Sequence, residues 1–167
     1  MPIRGLNHAV LYVRDAERSA AFYTEVLGFT RLWSKPQAVF LLAPGSTNDH
    51  DLGLFGIGDE AFESAAGRGM VGLYHLSWEV PTLGELAELR ERMAQAGSLV
   101  GASDHGTTKA LYCEDPDGLE FELSWILPHH LVTADDSQRT VPLDLEAEIA
   151  RFGPNTQSRS RGDAVPS

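Results

Sequence analysis

Polar and apolar residues alternate through GLNHAVLYVR, residues 5–14, and after Asp15 the apolar positions recur every third or fourth residue instead. The first pattern is that of a strand with one buried face, and the second that of an amphipathic helix. Asp15 caps the helix, Phe22, Val26 and Phe29 form its apolar stripe, and Gly28 stops it. TRLWSK, AVFLLAP and DLGLFGI then read as three strands, parted by the Pro36 turn and the polar loop GSTNDH. After the linker AAGRG the same order returns. LYHLSWEV reads as a strand, and Thr82 with Glu85 forms a capping box for a helix whose stripe is Leu86, Leu89 and Met93. Gly97 ends that helix. SLVGAS, KALYCE and LEFELSW follow as strands, the last two joined by the turn DPDG.

Each half is therefore β-α-β-β-β, and the fold class is α+β. A single unit of this kind is too small to bury both faces of its strands, so the two modules, about 3–60 and 70–127, are expected to form one cupped mixed sheet with helices outside. Residues 1–127 make this domain. Beyond Pro128 the pattern fades: HHLVTADDSQRT is polar, VPLDLEAEIARF suits a short helix or packing arm, and GPNTQSRSRGDAVPS has the composition of a disordered tail. No chemistry is assigned to this arm. His129 and His130 point apart on an extended chain and read as a solvated pair.

Composition narrows the setting. The chain of 167 residues can bury a core without staples, and its single cysteine, Cys113, suits a reducing cytoplasm. The amino terminus lacks a basic segment followed by a long apolar run, and no stretch approaches the roughly 20 apolar residues of a membrane span. A cytoplasmic protein that does not engage membranes is expected. Acidic residues outnumber basic ones by 24 to 13, for a formal charge of −11, which repels a phosphate backbone and argues against nucleic acid as a partner.

The repeat also draws candidate ligands together. His8 and His75 occupy matching places in the first strand of each module, and Glu122 lies in the last strand of the second. On the period-two rule His75 shares a face with Ser77 and Glu79, while Glu122 shares one with Glu120 and Ser124 and points away from Phe121, Leu123 and Trp125. Two histidines and a carboxylate on one side of a metal leave open positions opposite, the arrangement of non-haem Fe(II) oxygen chemistry.

NHAVLYVRDAERSAAFYTEVLGF, YHLSWEV and DHGTTKALYCEDPDGLEFEL together resemble the vicinal oxygen chelate superfamily of glyoxalases, bleomycin-resistance proteins and extradiol dioxygenases, over about residues 3–127. The resemblance implies paired βαβββ modules around a divalent metal, with His8, His75 and Glu122 at positions similar to the family's ligands. Glyoxalase-like sites resemble four-ligand cages with a carboxylate from the last strand of the first module. Shifting Glu122 back by the offset between His8 and His75 lands on Phe55, so three protein ligands with open positions are expected.

SDHGTTKALY, residues 103–112, resembles the segment of single-domain catechol 2,3-dioxygenase-like proteins that acts on substrate, which implies catalytic roles for His105 and Tyr112. An imidazole with a pKa near about 6.5 exchanges protons at neutral pH, and a phenol near about 10 donates a hydrogen bond. The expected activity is an Fe(II)-dependent extradiol cleavage of a catechol-type diol with O2, within aromatic hydrocarbon catabolism. Mn, Zn, Ni or Co are the alternative metals. Two other classes stay open: a metal-dependent isomerase or lyase of the glyoxalase or epimerase kind, and a ligand-binding or resistance protein without turnover. The partners are then a small-molecule substrate and O2, and a homo-oligomer, a dimer in its simplest form, is expected.

Overall fold

The computed structural model describes residues 3, 5–136 and 139–159. Its chain divides into two compact units, one of residues 1–65 with Asp115–Gly118 and one of residues 66–114 with 119–167. The α+β class and the paired βαβββ modules hold. The expected single sheet is instead two hydrogen-bonded sheets, one in each module.

In the first module β1 (Ala9–Val13), α1 (Ala16–Glu25), β2 (Thr30–Lys35), β3 (Ala38–Leu42) and β4 (Leu52–Gly56) form a sheet of order β1-β4-β3-β2. Asp15 caps α1 as its sequence position requires, accepting from the backbone N–H groups of Glu17 and Arg18. The buried stripe of that helix is Ala16, Ser19, Ala20 and Tyr23. It lies one position away from the expected line through Phe22 and Val26, because the large ring that fits against the sheet is Tyr23, which meets Phe29 edge-on at 5.6 Å. Between β2 and β3 the chain reverses over Pro36 and Gln37. Proline presets the first turn position, and Gln37 takes φ 62°, the left-handed value that a type II turn needs at its second. Leu41, Leu52 and Leu54 fill the core of this unit.

In the second module β5 (Leu76–Glu79), α2 (Leu83–Gln95), β6 (Leu99–Asp104), β7 (Thr108–Glu114) and β8 (Glu120–Ile126) repeat that order, and β9 (Val141–Pro142) adds an edge to give β5-β8-β7-β6-β9. Thr82 Oγ1 accepts from the Glu85 N–H, as the capping-box spacing foretells, while the Glu85 carboxylate accepts from the Thr82 hydroxyl. The apolar face of the sheet, with Leu111, Cys113, Leu123 and Trp125 buried, shares the core with Leu83, Leu86 and Met93 of α2. Alternation leaves the other face polar.

The arm after Pro128 is built into this second unit. The helix α3 (Leu145–Phe152) is tied to the sheet by Lys109, a fully buried residue whose Nζ lies 2.6 Å from Asp104 and 3.0 Å from Glu148. Burial pushes the Asp104 carboxyl up, but hydrogen bonds from Lys109 and Arg139 outweigh it and leave the group below its usual range.

The expectation of a disordered tail is corrected over 153–159. Gly84 N–H donates to Pro154 O at 2.8 Å, the Trp125 indole donates to Thr156 O at 3.0 Å, and Arg159 N–H donates to Ile126 O at 2.9 Å. Polar residues compose this stretch, yet its backbone satisfies groups at the ends of β8 and α2 that burial would otherwise strand. Residues 160–167 of that tail lie outside the described residues. Among those described, no helix is long and apolar enough to cross a membrane.

Candidate metal and acid-base site

On the polar face of the second module, Ser77, Glu122 and Tyr112 stand side by side across β5, β8 and β7. Glu122 is almost fully buried and accepts from Ser77 Oγ at 3.0 Å, while Ser77 Oγ and Ser124 Oγ lie 2.9 Å apart. One residue before β5, His75 turns its Nε2 toward Glu122 Oε2 at 3.5 Å and its Nδ1 toward Glu120 Oε1 at 3.4 Å. Glu120 and Glu122, two apart on β8, thus flank one imidazole.

His105 and Tyr112, paired in the sequence argument only by resemblance, are in contact. His105 Nε2 and the Tyr112 hydroxyl are 2.8 Å apart, and His105 Nδ1 lies 3.2 Å from Thr140 Oγ1. With the proton on Nδ1 shared toward Thr140, Nε2 is free to accept from the phenol. Burial and then the negative charge of Glu122 raise the Tyr112 pKa, so the phenol keeps its proton at neutral pH. The Tyr112 ring also sits 6.0 Å from the His75 ring, centroid to centroid. An acid-base pair and a histidine-carboxylate pair therefore share one polar surface.

Thr140 was missed in the sequence because it lies in the arm to which no chemistry was given. It reaches His105 because β9 pairs with β6, setting Val141 opposite Asp104. Arg139 reinforces the junction through its contacts with Asp104. No local pattern announces a two-residue edge strand. Cys113 faces the core, where burial pushes its thiol up to about 12, so it supplies no nucleophile at neutral pH.

His8 lies in the first unit, one residue before β1, as His75 lies one residue before β5. It is exposed, donates from Nδ1 to Asn7 Oδ1 at 2.8 Å, and lies tilted against His50 with ring centroids 4.3 Å apart. The ladder also corrects the search for a carboxylate in the first module. Val10 pairs with Gly53 where Ser77 pairs with Glu122, so the counterpart of Glu122 is Gly53 and not Phe55. A Cβ at Gly53 would touch the Phe40 ring and Val10 at 3.4 Å. That position offers no carboxylate.

Among the described residues, no three His, Cys, Asp or Glu side chains are gathered as a metal cage. The second module nevertheless holds a fitting pair of donors. Two ligand atoms each about 2.1 Å from one ion and 3.5 Å apart subtend roughly 110° at it, a separation within the range of metal coordination. His75 Nδ1 and Glu120 Oε1 are buried and have no hydrogen-bond partner among the described residues, which leaves the imidazole unanchored on the side away from Glu122.

The family model described as the glyoxalase/bleomycin resistance protein/dioxygenase superfamily matches residues 5–123. The chain belongs to that superfamily. Its relatives include a catechol-2,3-dioxygenase of Bacillus subtilis, 27% identical over 96% of this chain and 56% of that protein. A lactoylglutathione lyase of Salmonella typhimurium is 32% identical over 71% of this chain and 90% of that protein. A solved glyoxylase/bleomycin resistance protein/dioxygenase domain from Frankia superposes with a TM-score of 0.65 at 25% identity, covering 78% of this chain and 98% of that one. The superfamily member described here thus spans little more than half the length of its dioxygenase relative, so the fold and family carry over and the reaction does not follow automatically.

Proposed function

We propose that this superfamily member is an Fe(II)-dependent dioxygenase that opens a catechol-type aromatic diol beside its hydroxyls, with O2 as the second substrate. The observation that carries the reading is the 2.8 Å contact between His105 and Tyr112 on the surface that also holds His75 and Glu122. Similarity to a catechol-2,3-dioxygenase over nearly the whole chain supports it. His75 and Glu122 would hold the metal, with His8 as the third ligand by its matching place before β1. Bound there, Fe(II) would supply a chelating centre for both diol oxygens and a site for O2 activation.

The chain's own residues handle protons and orientation. His105 Nε2, unprotonated while it accepts from Tyr112, is a base for the second diol proton. Tyr112, held protonated, then donates its hydrogen bond to the substrate oxygen. Thr140 keeps the His105 ring from turning, and Ser77 fixes one oxygen of Glu122.

A lyase reading draws on the lactoylglutathione lyase relative, which matches over 90% of its own length. The four-ligand cage that such a reading expects meets Gly53 where its fourth ligand is needed. Oxygen uptake separates the two. Protein reconstituted with Fe(II) without air should consume O2 stoichiometrically with a catechol once air is admitted. Bound iron without O2 consumption across a panel of catechols would remove the dioxygenase reading.

A further inference from the structure

His105 opens the turn between β6 and β7, and the ring of a turn residue stands wherever the turn is held. One buried carboxylate holds this turn. Asp104 Oδ1 accepts from the Gly106 N–H at 2.8 Å, closing an Asx turn around His105, and from Lys109 Nζ at 2.6 Å on the far side of the turn. The His105 N–H donates to Thr108 O at 2.8 Å, so the N–H groups of His105 and Gly106 both have partners. The other oxygen of the same side chain reaches into the arm. Asp104 Oδ2 accepts from Arg139 Nε at 2.9 Å and from Nη2 of that guanidinium. Arg139 immediately precedes Thr140, whose Oγ1 lies 3.2 Å from His105 Nδ1, and on the other side of Thr140 the backbone pairs Val141 with Asp104. Two segments 35 residues apart thus meet at His105, and Asp104 grips each of them.

We infer that Asp104 is a positioning residue for the acid-base pair, holding the His105 ring at the Tyr112 hydroxyl through the turn on one side and through Arg139 and Thr140 on the other. The tautomer of His105 does not enter, because the Thr140 hydroxyl can give or take a hydrogen bond at Nδ1. What enters is distance. A general base acts only within hydrogen-bond reach of the proton it takes, and a displacement of about 1 Å can cost about 10²-fold in rate. The kinetic consequence rests on the dioxygenase reading above; the placement of the ring does not.

The His105 and Tyr112 rings meet edge-on with centroids 6.4 Å apart, close enough for a nuclear Overhauser effect between their ring protons. That signal reads the placement in metal-free protein without substrate. Arg139→Leu releases the arm from Asp104 and spares Lys109, while Thr140→Val removes the hydroxyl at nearly constant shape. Both should stay folded by circular dichroism and lose the ring-to-ring signal several-fold. Thr140→Ser, which restores a hydroxyl, should recover it. In Fe(II)-loaded protein with a saturating catechol, Arg139→Leu and Thr140→Val should lower kcat about 10- to 10²-fold with KM and metal content unchanged. Asp104→Asn should show the same losses; should it strand Lys109 and fail to fold, the two arm variants decide. A wild-type ring signal in either folded arm variant, a lost signal with wild-type kcat, or a Thr140→Ser variant no better than Thr140→Val overturns the inference. Absence of O2 consumption by the wild type with every catechol would instead overturn the dioxygenase reading, and the ring signals would then decide the placement by themselves.

Discussion

At the scale of single residues, the site separates groups that would hold a metal from groups that would move protons, and variants should separate them too. His75→Ala and Glu122→Ala should lose most bound divalent metal while remaining folded, measured as metal per chain after gel filtration. Full metal content in either variant would take that residue out of the site. His105→Ala and Tyr112→Phe should keep their metal and turn over about 10²- to 10⁴-fold more slowly, with the histidine variant the worse near neutral pH. Single-turnover kinetics at saturating substrate is the measurement, and wild-type rates in both would leave the pair structural. His75 and Glu122 were legible because chemistry and periodicity coincide on the polar face, and His105 and Tyr112 through the resemblance carried by SDHGTTKALY. Thr140 and Glu120 were not. Thr140 acts from a segment distant in sequence, and Glu120 reads as an ordinary exposed carboxylate until the register sets it beside His75.

At the scale of elements, strands and caps were readable from local pattern, whereas the pairings between them were not. The repeat offset taken from the histidines placed the counterpart of Glu122 at Phe55. The ladders show a 45-residue step from Leu76 to its partner Phe121 against a 43-residue step from Ala9 to Leu52, so the two modules drift out of phase by two residues between first and last strand. A shift of two preserves the face and moves the position, which is why the alternation gave no warning. The segment after α3 carries the other lesson. Its glycine and polar content lacks apolar side chains to bury, but its backbone caps Gly84, Trp125 and Ile126. Truncation after Phe152 should therefore cost about 2–4 kcal/mol, or roughly 5–15 °C in Tm, at about 1 kcal/mol for each net hydrogen bond lost. An unchanged melting curve would restore the reading of the whole segment as a dispensable tail.

For the molecule as a whole, the formal charge of −11 and the buried acidic groups pull stability in opposite directions as pH falls. Protonating exposed carboxylates relieves self-repulsion, which favours the compact state. Asp136 does the reverse. It is buried, accepts from Thr133 N–H and Oγ1, and pairs with both terminal nitrogens of Arg151 at 2.7 and 3.0 Å. The Arg151 guanidinium, ahead of every other influence, holds its carboxyl well below the usual carboxylate range. Since the folded pKa lies below the unfolded value of about 3.9, the ionised group stabilises the fold above that pH. The contribution fades as pH drops below it toward the folded value. Asp104, held low by Lys109 and Arg139, adds to the same acid-side loss. Asp136→Asn should accordingly lower Tm at pH 7 and show a smaller further fall between pH 5 and 2 than wild type. The relief of repulsion is common to both proteins, so the difference between their curves isolates the one carboxylate. Parallel Tm curves over that range would mean that Asp136 has the same pKa folded and unfolded, and that its pairing with Arg151 does not stabilise the arm, both residues of the pair lying within that segment.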